Sequence, residues 1–156
     1  MEERSMLTKL SKLVLAFSGL VVSTCVWSSG SHHAHDPMGE PAKTTTRTIS
    51  IRMSDTMRYT PNVIQIKRGE AVTLAFKNEG QLKHEAVLGQ LDELKKHAEL
   101  MKMHPDMEHD DPKSISAKAG ETALMKWKFT KAGTFYIACL KPGHFEAGMR
   151  AQIVVK

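Results

Sequence analysis

Short runs in which apolar and polar residues alternate are the feature that most restricts the fold of this chain. An alternation with a period of two puts every second side chain on one face of a β-strand, so each run is typical of a half-buried strand. Alternation is seen over residues 49–53, 64–66, 72–76, 124–129 and 135–139, and two short apolar runs, 86–88 and 153–155, are also expected to be strands. Turn-forming residues separate these roughly seven strands, a spacing expected of an all-β sandwich.

One stretch of the chain breaks this alternation and carries a helical period instead. Its apolar residues fall at spacings of three, four and three positions, which is one face of an α-helix. They are Leu91, Leu94, Ala98 and Met101. Because Pro105 ends the pattern, we predict a partly helical insertion over residues 90–113, within a single domain that spans residues 47–156.

Residues 1–30 have the layout of a secretory signal peptide. Basic residues come first, an apolar run from Leu13 to Trp27 follows, and small residues end the segment. The apolar run is interrupted and falls short of the roughly 20 residues that a membrane-spanning helix needs. We therefore predict export and cleavage, no membrane attachment afterwards, and a flexible histidine-rich tail over residues 31–46. A retained anchor helix and lipidation at Cys25 are the alternatives.

Cleavage of the signal peptide would leave one cysteine in the mature chain. The sequence contains Cys25 and Cys139, and only Cys139 follows the predicted cleavage site. An unpaired thiol is unusual in an exported protein, because an oxidising compartment favours disulfides. Cys139 is therefore expected either to be buried as a small apolar side chain or to be held by a metal ion as a thiolate.

The charge pattern argues against nucleic acid as a partner. The chain has a net charge of +5, but its positive and negative side chains are interspersed and form no basic stripe. Its soft and borderline metal donors are more informative, since all eight histidines and eight of the ten methionines lie beyond residue 31. Imidazole and thioether donors, together with a lone thiol, indicate copper.

The residues that carry the chemistry lie in one loop near the C-terminus. Cys139, His144 and Met149 are separated by four intervening residues each, and two glycines let the loop fold back tightly. Such a loop brings a thiolate, an imidazole and a thioether to one point, and His84 is available as a second imidazole. Two histidines, a cysteine and a weak methionine form the ligand set of blue-copper electron-transfer sites, whereas a methionine ligand argues against zinc.

These motifs resemble those of the cupredoxins, a Greek-key β-sandwich family that includes plastocyanin, azurin and rusticyanin. The spacing from cysteine to histidine to methionine is similar to that of longer-loop members such as rusticyanin. The resemblance extends over most of residues 47–156, through Tyr59-Thr60-Pro61, Ile64, Ile66, Gly69, Asn78-Glu79-Gly80 and His84. It implies a type 1 copper site in which His84, Cys139 and His144 are equatorial ligands and Met149 is the axial ligand.

Within the family the chain most resembles the copper-tolerance members of the periplasm, because of its histidine-rich N-terminal segment and its insertion rich in histidine and methionine. This resemblance implies a periplasmic protein that serves copper tolerance and cycles copper between Cu(I) and Cu(II). One position departs from the family pattern, since many cupredoxins have Asn or Ser directly after the first histidine ligand and this chain has Glu85. A carboxylate so close to the metal is expected to change the reduction potential and the colour.

A second set of donors lies outside this site. The tail histidines are candidates for binding Cu(II) or other divalent ions, with a solvated linker as the alternative. A thioether-containing set in the insertion is a candidate Cu(I) site, although Met101 also belongs to the apolar helix face and His104 precedes a proline. The candidates for further copper ions are His32, His33, His35, His97, Met101, Met103, His104, Met107 and His109.

Three classes of function stay open. The additional donors favour a copper-binding protein of tolerance and homeostasis, whose partners are copper ions and copper-handling proteins. The single complete site also suits a one-electron carrier between periplasmic redox partners, with Pro142, Phe145 and Ala147 as an apolar docking patch around His144. A copper enzyme is disfavoured, because all four donors are protein side chains and no catalytic residues are recognised. Oxidation of Cu(I) itself remains an alternative.

Overall fold

The structure is a computed structural model that describes residues 38–105 and 111–156. The predicted signal peptide, Cys25 and the tail histidines lie outside these ranges, and so do Met107 and His109. Within the two ranges the chain forms ten strands and one helix. They are β1 (Gly39–Pro41), β2 (Arg47–Ser54), β3 (Arg58–Thr60), β4 (Val63–Ile66), β5 (Ala71–Asn78), β6 (His84–Gly89), α1 (Leu91–Met103), β7 (Ser114–Ala117), β8 (Thr122–Phe129), β9 (Gly133–Ala138) and β10 (Arg150–Val155).

The strands build two five-stranded sheets. The first sheet has the order β1-β8-β5-β2-β3 and the second has the order β4-β10-β9-β6-β7. β2 pairs in parallel with β5, and β4 pairs in parallel with β10, while the other neighbouring strands are antiparallel. The chain passes repeatedly from one sheet to the other. The prediction of an all-β Greek-key sandwich is therefore confirmed.

The apolar core is built from side chains of both sheets. The alternation in the sequence decides which side chains enter it: in β2, Ile51 and Met53 are fully buried, while Arg52 between them is exposed. The same cluster includes Trp127 from the first sheet and Ile137 from the second. Burial of each large apolar side chain stabilises the fold by about 1.5–3 kcal/mol. This core fixes β6 and β9, the two strands at whose ends predicted ligands lie.

Three strands are absent from the sequence prediction. β1 and β3 have three residues each, too few to establish a period of two, and the four-residue β7 directly follows the predicted insertion over residues 90–113. β1 also corrects the described part of the flexible tail predicted for residues 31–46, because residues 39–41 pair with residues 127–129 of β8 and the preceding Met38 joins the core. Gly39 makes this approach feasible: its φ is 150°, and a Cβ there would lie 1.9 Å from the Lys128 carbonyl oxygen.

The helix α1 confirms the helical prediction for the insertion. Its first turn is held by a hydrogen bond from the Gln90 backbone amide to the Glu93 carboxylate. Its buried residues are three of the four predicted apolar ones, namely Leu94, Ala98 and Met101. They form a second apolar cluster with Leu140 and Phe145, which lie in the loop after β9. The insertion therefore packs directly on the loop that carries the predicted ligands.

Candidate metal centre

Three of the predicted ligands come together at one end of the second sheet. Side-chain donor atoms of His84, Cys139 and His144 all lie within 4.8 Å of one another. In the described ranges, this is the one group of three or more His, Cys, Asp or Glu side chains close enough to share a metal ion. His84 is the first residue of β6 and Cys139 directly follows β9, and these strands are neighbours in the sheet. Strand pairing thus joins donors that are distant in the sequence.

His84 has one ring nitrogen bonded and the other left without a partner. The side chain is 0% exposed, and its Nε2 lies 2.9 Å from Oδ1 of Asp55. The pKa of Asp55 is lowered, first by the hydrogen bond from the Gln81 amide, so this carboxyl group is ionised at neutral pH. His84 Nδ1 is buried and makes no hydrogen bond. Because an unsatisfied buried nitrogen is costly, the arrangement fits a metal ion at Nδ1.

Cys139 is a fully buried free thiol. Its Sγ accepts a hydrogen bond from the Glu85 amide at 3.4 Å and lies 3.3 Å from Nδ1 of His144. Burial raises the pKa of the thiol to about 11, although the backbone amides of Glu85 and Lys141 lower it in part. Without a metal the sulfur keeps its proton at neutral pH. A metal ion must displace that proton, and it is then bound by a thiolate.

His144 lies in a tight loop whose two ends are bonded together. The Cys139 amide donates to the Met149 carbonyl at 3.1 Å, and the Met149 amide donates to the His144 carbonyl at 3.0 Å. Gly143 and Gly148 have φ values of 84° and 92°, which favour glycine at both turns. Burial is the main cause that lowers the pKa of His144. Its imidazole is therefore neutral near pH 7, the form that binds a metal.

Met149 is fully buried in the same apolar cluster as Cys139. Its backbone bonds to Cys139 and His144 place it beside both of these residues. Its thioether is not among the three donors described above, which are two imidazoles and a thiol. Its role as a weak axial ligand stays a prediction.

Glu85 links β6 to the ligand loop. It is 5% exposed, its Oε1 lies 3.2 Å from Nζ of Lys141, and its Oε2 is buried without a hydrogen-bond partner. Its backbone is engaged as well, because the amide donates to Cys139 Sγ and the carbonyl accepts from the Tyr59 hydroxyl. Asn or Ser ties the two ligand loops together in many cupredoxins. In this chain an ion pair connects them.

The additional donors of the insertion differ in their exposure to solvent. Met101 is 0% exposed and packs in the second apolar cluster, whereas Met103 is 65% exposed. His97 is half-buried, and His104 is exposed just beyond the end of α1. The other candidate donors, His32, His33, His35, Met107 and His109, lie outside the described residues. A second copper site therefore stays a prediction.

The apolar docking patch predicted around His144 is wrong for one of its three residues. Phe145 is 8% exposed, because it packs against α1, and the Arg150 guanidinium lies 5.8 Å from the centre of its ring. Pro142 and Ala147 are exposed, as predicted. The sequence could not separate these residues, since the packing of the insertion decides which of them is covered.

Comparison with known proteins places this centre in a family. A family model for copper-binding proteins of the plastocyanin/azurin family matches residues 46–156. The copper-resistant cuproprotein CopI of Rubrivivax gelatinosus is 48% identical over 129 residues, which cover 80% of this chain and 78% of that protein. The copper-resistant cuproprotein CopI of Pseudomonas aeruginosa is 32% identical over 149 residues, covering 76% of this chain and 82% of the relative.

Solved structures show the same fold. Auracyanin B superposes with a TM-score of 0.63 and 22% identity, covering 79% of this chain and 99% of its own. An azurin from Methylomonas sp. strain J superposes with a TM-score of 0.58 and 20% identity, covering 71% of this chain and 98% of its own. In the two described ranges, no helix has the length and hydropathy that a membrane span requires.

Proposed function

The chain belongs to the plastocyanin/azurin family of copper-binding proteins, and from this premise we propose that it is a periplasmic copper-tolerance protein with one type 1 copper site. His84, Cys139 and His144 would be the equatorial ligands and Met149 the axial ligand. One observation carries the proposal: a buried His84 nitrogen without a partner lies at a centre that also holds a buried thiol and a second imidazole. The relatives named as copper-resistant cuproproteins support the role in tolerance.

The protein's residues suit a redox-active copper site. Copper bound here would supply one-electron chemistry between Cu(I) and Cu(II). The Cys139 sulfur and the Met149 thioether are soft donors that favour Cu(I), while imidazoles suit both oxidation states. His84 and Cys139 are fully buried in a packed core, which holds them in place and excludes water. The geometry of such a rigid donor set changes little when copper changes its oxidation state.

An electron carrier is the second candidate function, and the partial exposure of His144 favours it. His84, Cys139 and Met149 are buried, so His144 is the predicted ligand nearest to solvent. An electron would leave or enter through its imidazole. Exposed Pro142 and Ala147 lie in the same loop and supply a small apolar surface for a redox partner. Both functions use the same site. In the first, copper binding serves tolerance, and in the second, the bound copper carries electrons between redox partners.

Growth on copper separates the two functions. We expect deletion of the gene to make host cells sensitive to copper, while their respiration at ordinary copper levels is unchanged. The chain with Cys139→Ala should fail to restore tolerance, and the wild-type chain should restore it. A deletion strain that tolerates copper normally but respires poorly would overturn the tolerance role and favour the carrier. Copper content is the companion measurement, because more than one ion per chain would support binding by the tail or the insertion.

A further inference from the structure

Asp55 lies outside the predicted ligand set but is bonded to one of the ligands. It follows β2 directly, and its side chain is 36% exposed. Its Oδ2 accepts a hydrogen bond from the Gln81 amide at 2.7 Å, and its Oδ1 accepts one from the Leu82 amide at 3.3 Å. Oδ1 also lies 2.9 Å from Nε2 of His84. One carboxylate therefore binds both the loop that leads into β6 and the imidazole at the start of that strand.

The loop is shaped to hold this carboxylate. A Cβ at Gly80 would lie 2.0 Å from Asp55 Oδ1 and 2.5 Å from its carboxyl carbon, so a side chain at position 80 would displace Asp55. The Gly80 amide is itself held by the Asn78 side chain at 2.9 Å. The close approach of backbone and carboxylate depends on the absence of a side chain. The conformation of this loop thus holds Asp55 in the position where it contacts His84.

The contact decides which nitrogen of His84 can bind a metal. A carboxylate only accepts hydrogen bonds, so Nε2 must carry the proton and donate it to Asp55. In the neutral imidazole the lone pair then lies on Nδ1, which is buried and has no hydrogen-bond partner. Partners of this kind fix the tautomer and ring orientation of metal-binding histidines and increase their basicity. The negative charge next to the imidazole also stabilises Cu(II) more than Cu(I), because Cu(II) carries the larger charge.

We propose that Asp55 is a positioning residue of the copper site, which holds His84 with Nδ1 free for the metal and tunes the centre toward Cu(II). The tuning of copper by Asp55 rests on the proposed function. The orientation of the His84 ring by Asp55 applies to the metal-free protein as well. Because Asp55 contacts Nε2 and not the nitrogen proposed to bind copper, it would act through His84 alone.

Two variants of Asp55 separate orientation from charge. Asp55→Asn keeps the shape and an oxygen acceptor but removes the charge, whereas Asp55→Ala removes both. Loss of such an outer partner typically lowers metal affinity about 10–100-fold. We expect Asp55→Asn to weaken Cu(II) binding about tenfold with little change for Cu(I), which raises the reduction potential by about 59 mV. Asp55→Ala should approach a loss of about 100-fold and should also distort the thiolate-to-copper absorption.

Glu79→Gln is the matched control. Glu79 is a carboxylate in the neighbouring loop, which leads into β6, and it pairs with Arg52 at 3.7 Å on the surface rather than with His84. The Glu79→Gln variant should keep the copper affinity and the reduction potential of the wild type. In the metal-free protein, ¹⁵N NMR of the His84 ring should show the proton on Nε2 in the wild type and in Glu79→Gln. In Asp55→Ala it should show a mixture of tautomers.

The outcomes distinguish the two proposals. A wild type without bound copper would overturn the proposed function and the tuning role together, and the NMR result would still decide whether Asp55 orients His84. A wild type that binds copper, with an unchanged potential in Asp55→Asn and an unchanged tautomer in Asp55→Ala, would overturn the role of Asp55 alone. An equal loss of Cu(I) and Cu(II) affinity in Asp55→Asn would also overturn the proposed tuning of the reduction potential, because it would indicate only that the loop is loosened.

Discussion

Replacing Cys139 with alanine is expected to abolish the intense visible absorption of the copper-loaded protein completely. The absorption requires a thiolate bound to Cu(II), and Cys139 provides the one thiol in the described residues. The substitution removes a buried small side chain, so the fold should survive with a modest loss of stability of about 1 kcal/mol. Absorption spectra after copper addition, with unfolding curves of the metal-free protein, measure both effects.

The chain offers a matched control in its other cysteine. Cys25→Ser should leave the absorption unchanged, whether residue 25 is removed with the signal peptide or retained. Met149→Leu keeps the two imidazoles and the thiolate, so it should also keep an intense band, with a higher reduction potential because a weak ligand is lost. An intense band that persists in Cys139→Ala, or disappears in Cys25→Ser, would contradict the assignment of the thiolate.

Replacing Asn78 with alanine is expected to cause the largest loss of stability outside the apolar core, about 2–4 kcal/mol. Asn78 is 0% exposed and its side chain makes three hydrogen bonds to backbone groups. Its Nδ2 donates to the carbonyls of Leu82 and Ala117 at 2.7 and 2.9 Å, and its Oδ1 accepts from the Gly80 amide at 2.9 Å. Each buried backbone group left without a partner costs about 1–3 kcal/mol, and water can reach some of these groups in the variant.

Urea unfolding of the metal-free protein measures this loss. Asn62→Ala is the control, because Asn62 is exposed and its replacement should change the free energy of unfolding by less than about 0.5 kcal/mol. Since Asn78 also holds the loop that leads to His84, its loss should loosen the copper site. Equal stability of Asn78→Ala and Asn62→Ala would show that the three bonds do not hold the loop.

The sequence predicted the long strands and the helix because these elements have clear periods. β2, β5 and β8 each have eight residues, and the buried face of α1 repeats regularly. The short strands could not be predicted in this way. β1 forms because β8 offers it a pairing edge and because Gly39 tolerates the close approach, and both facts concern distant parts of the chain.

The loop of the candidate site was predictable because its donors are close in the sequence. Cys139 and His144 lie in one segment with a regular spacing, and His84 was available as the second imidazole that this donor set needs, an assignment that the resemblance to cupredoxins also implies. The residues around the donors were harder to predict. Asp55 meets His84 only because the turn after β2 packs against the loop before β6, and Lys141, in the loop after β9, meets Glu85 in β6. No local pattern marks such contacts, although an acidic residue in a turn beside a metal site is a reasonable candidate for inspection.

X-ray absorption spectroscopy of the protein loaded with one copper ion tests the central assignment most directly, since it reports the atoms bound to copper. We expect one short copper–sulfur bond from Cys139 and two imidazole nitrogens from His84 and His144. A copper ion surrounded only by nitrogen and oxygen in the wild-type protein would contradict this account.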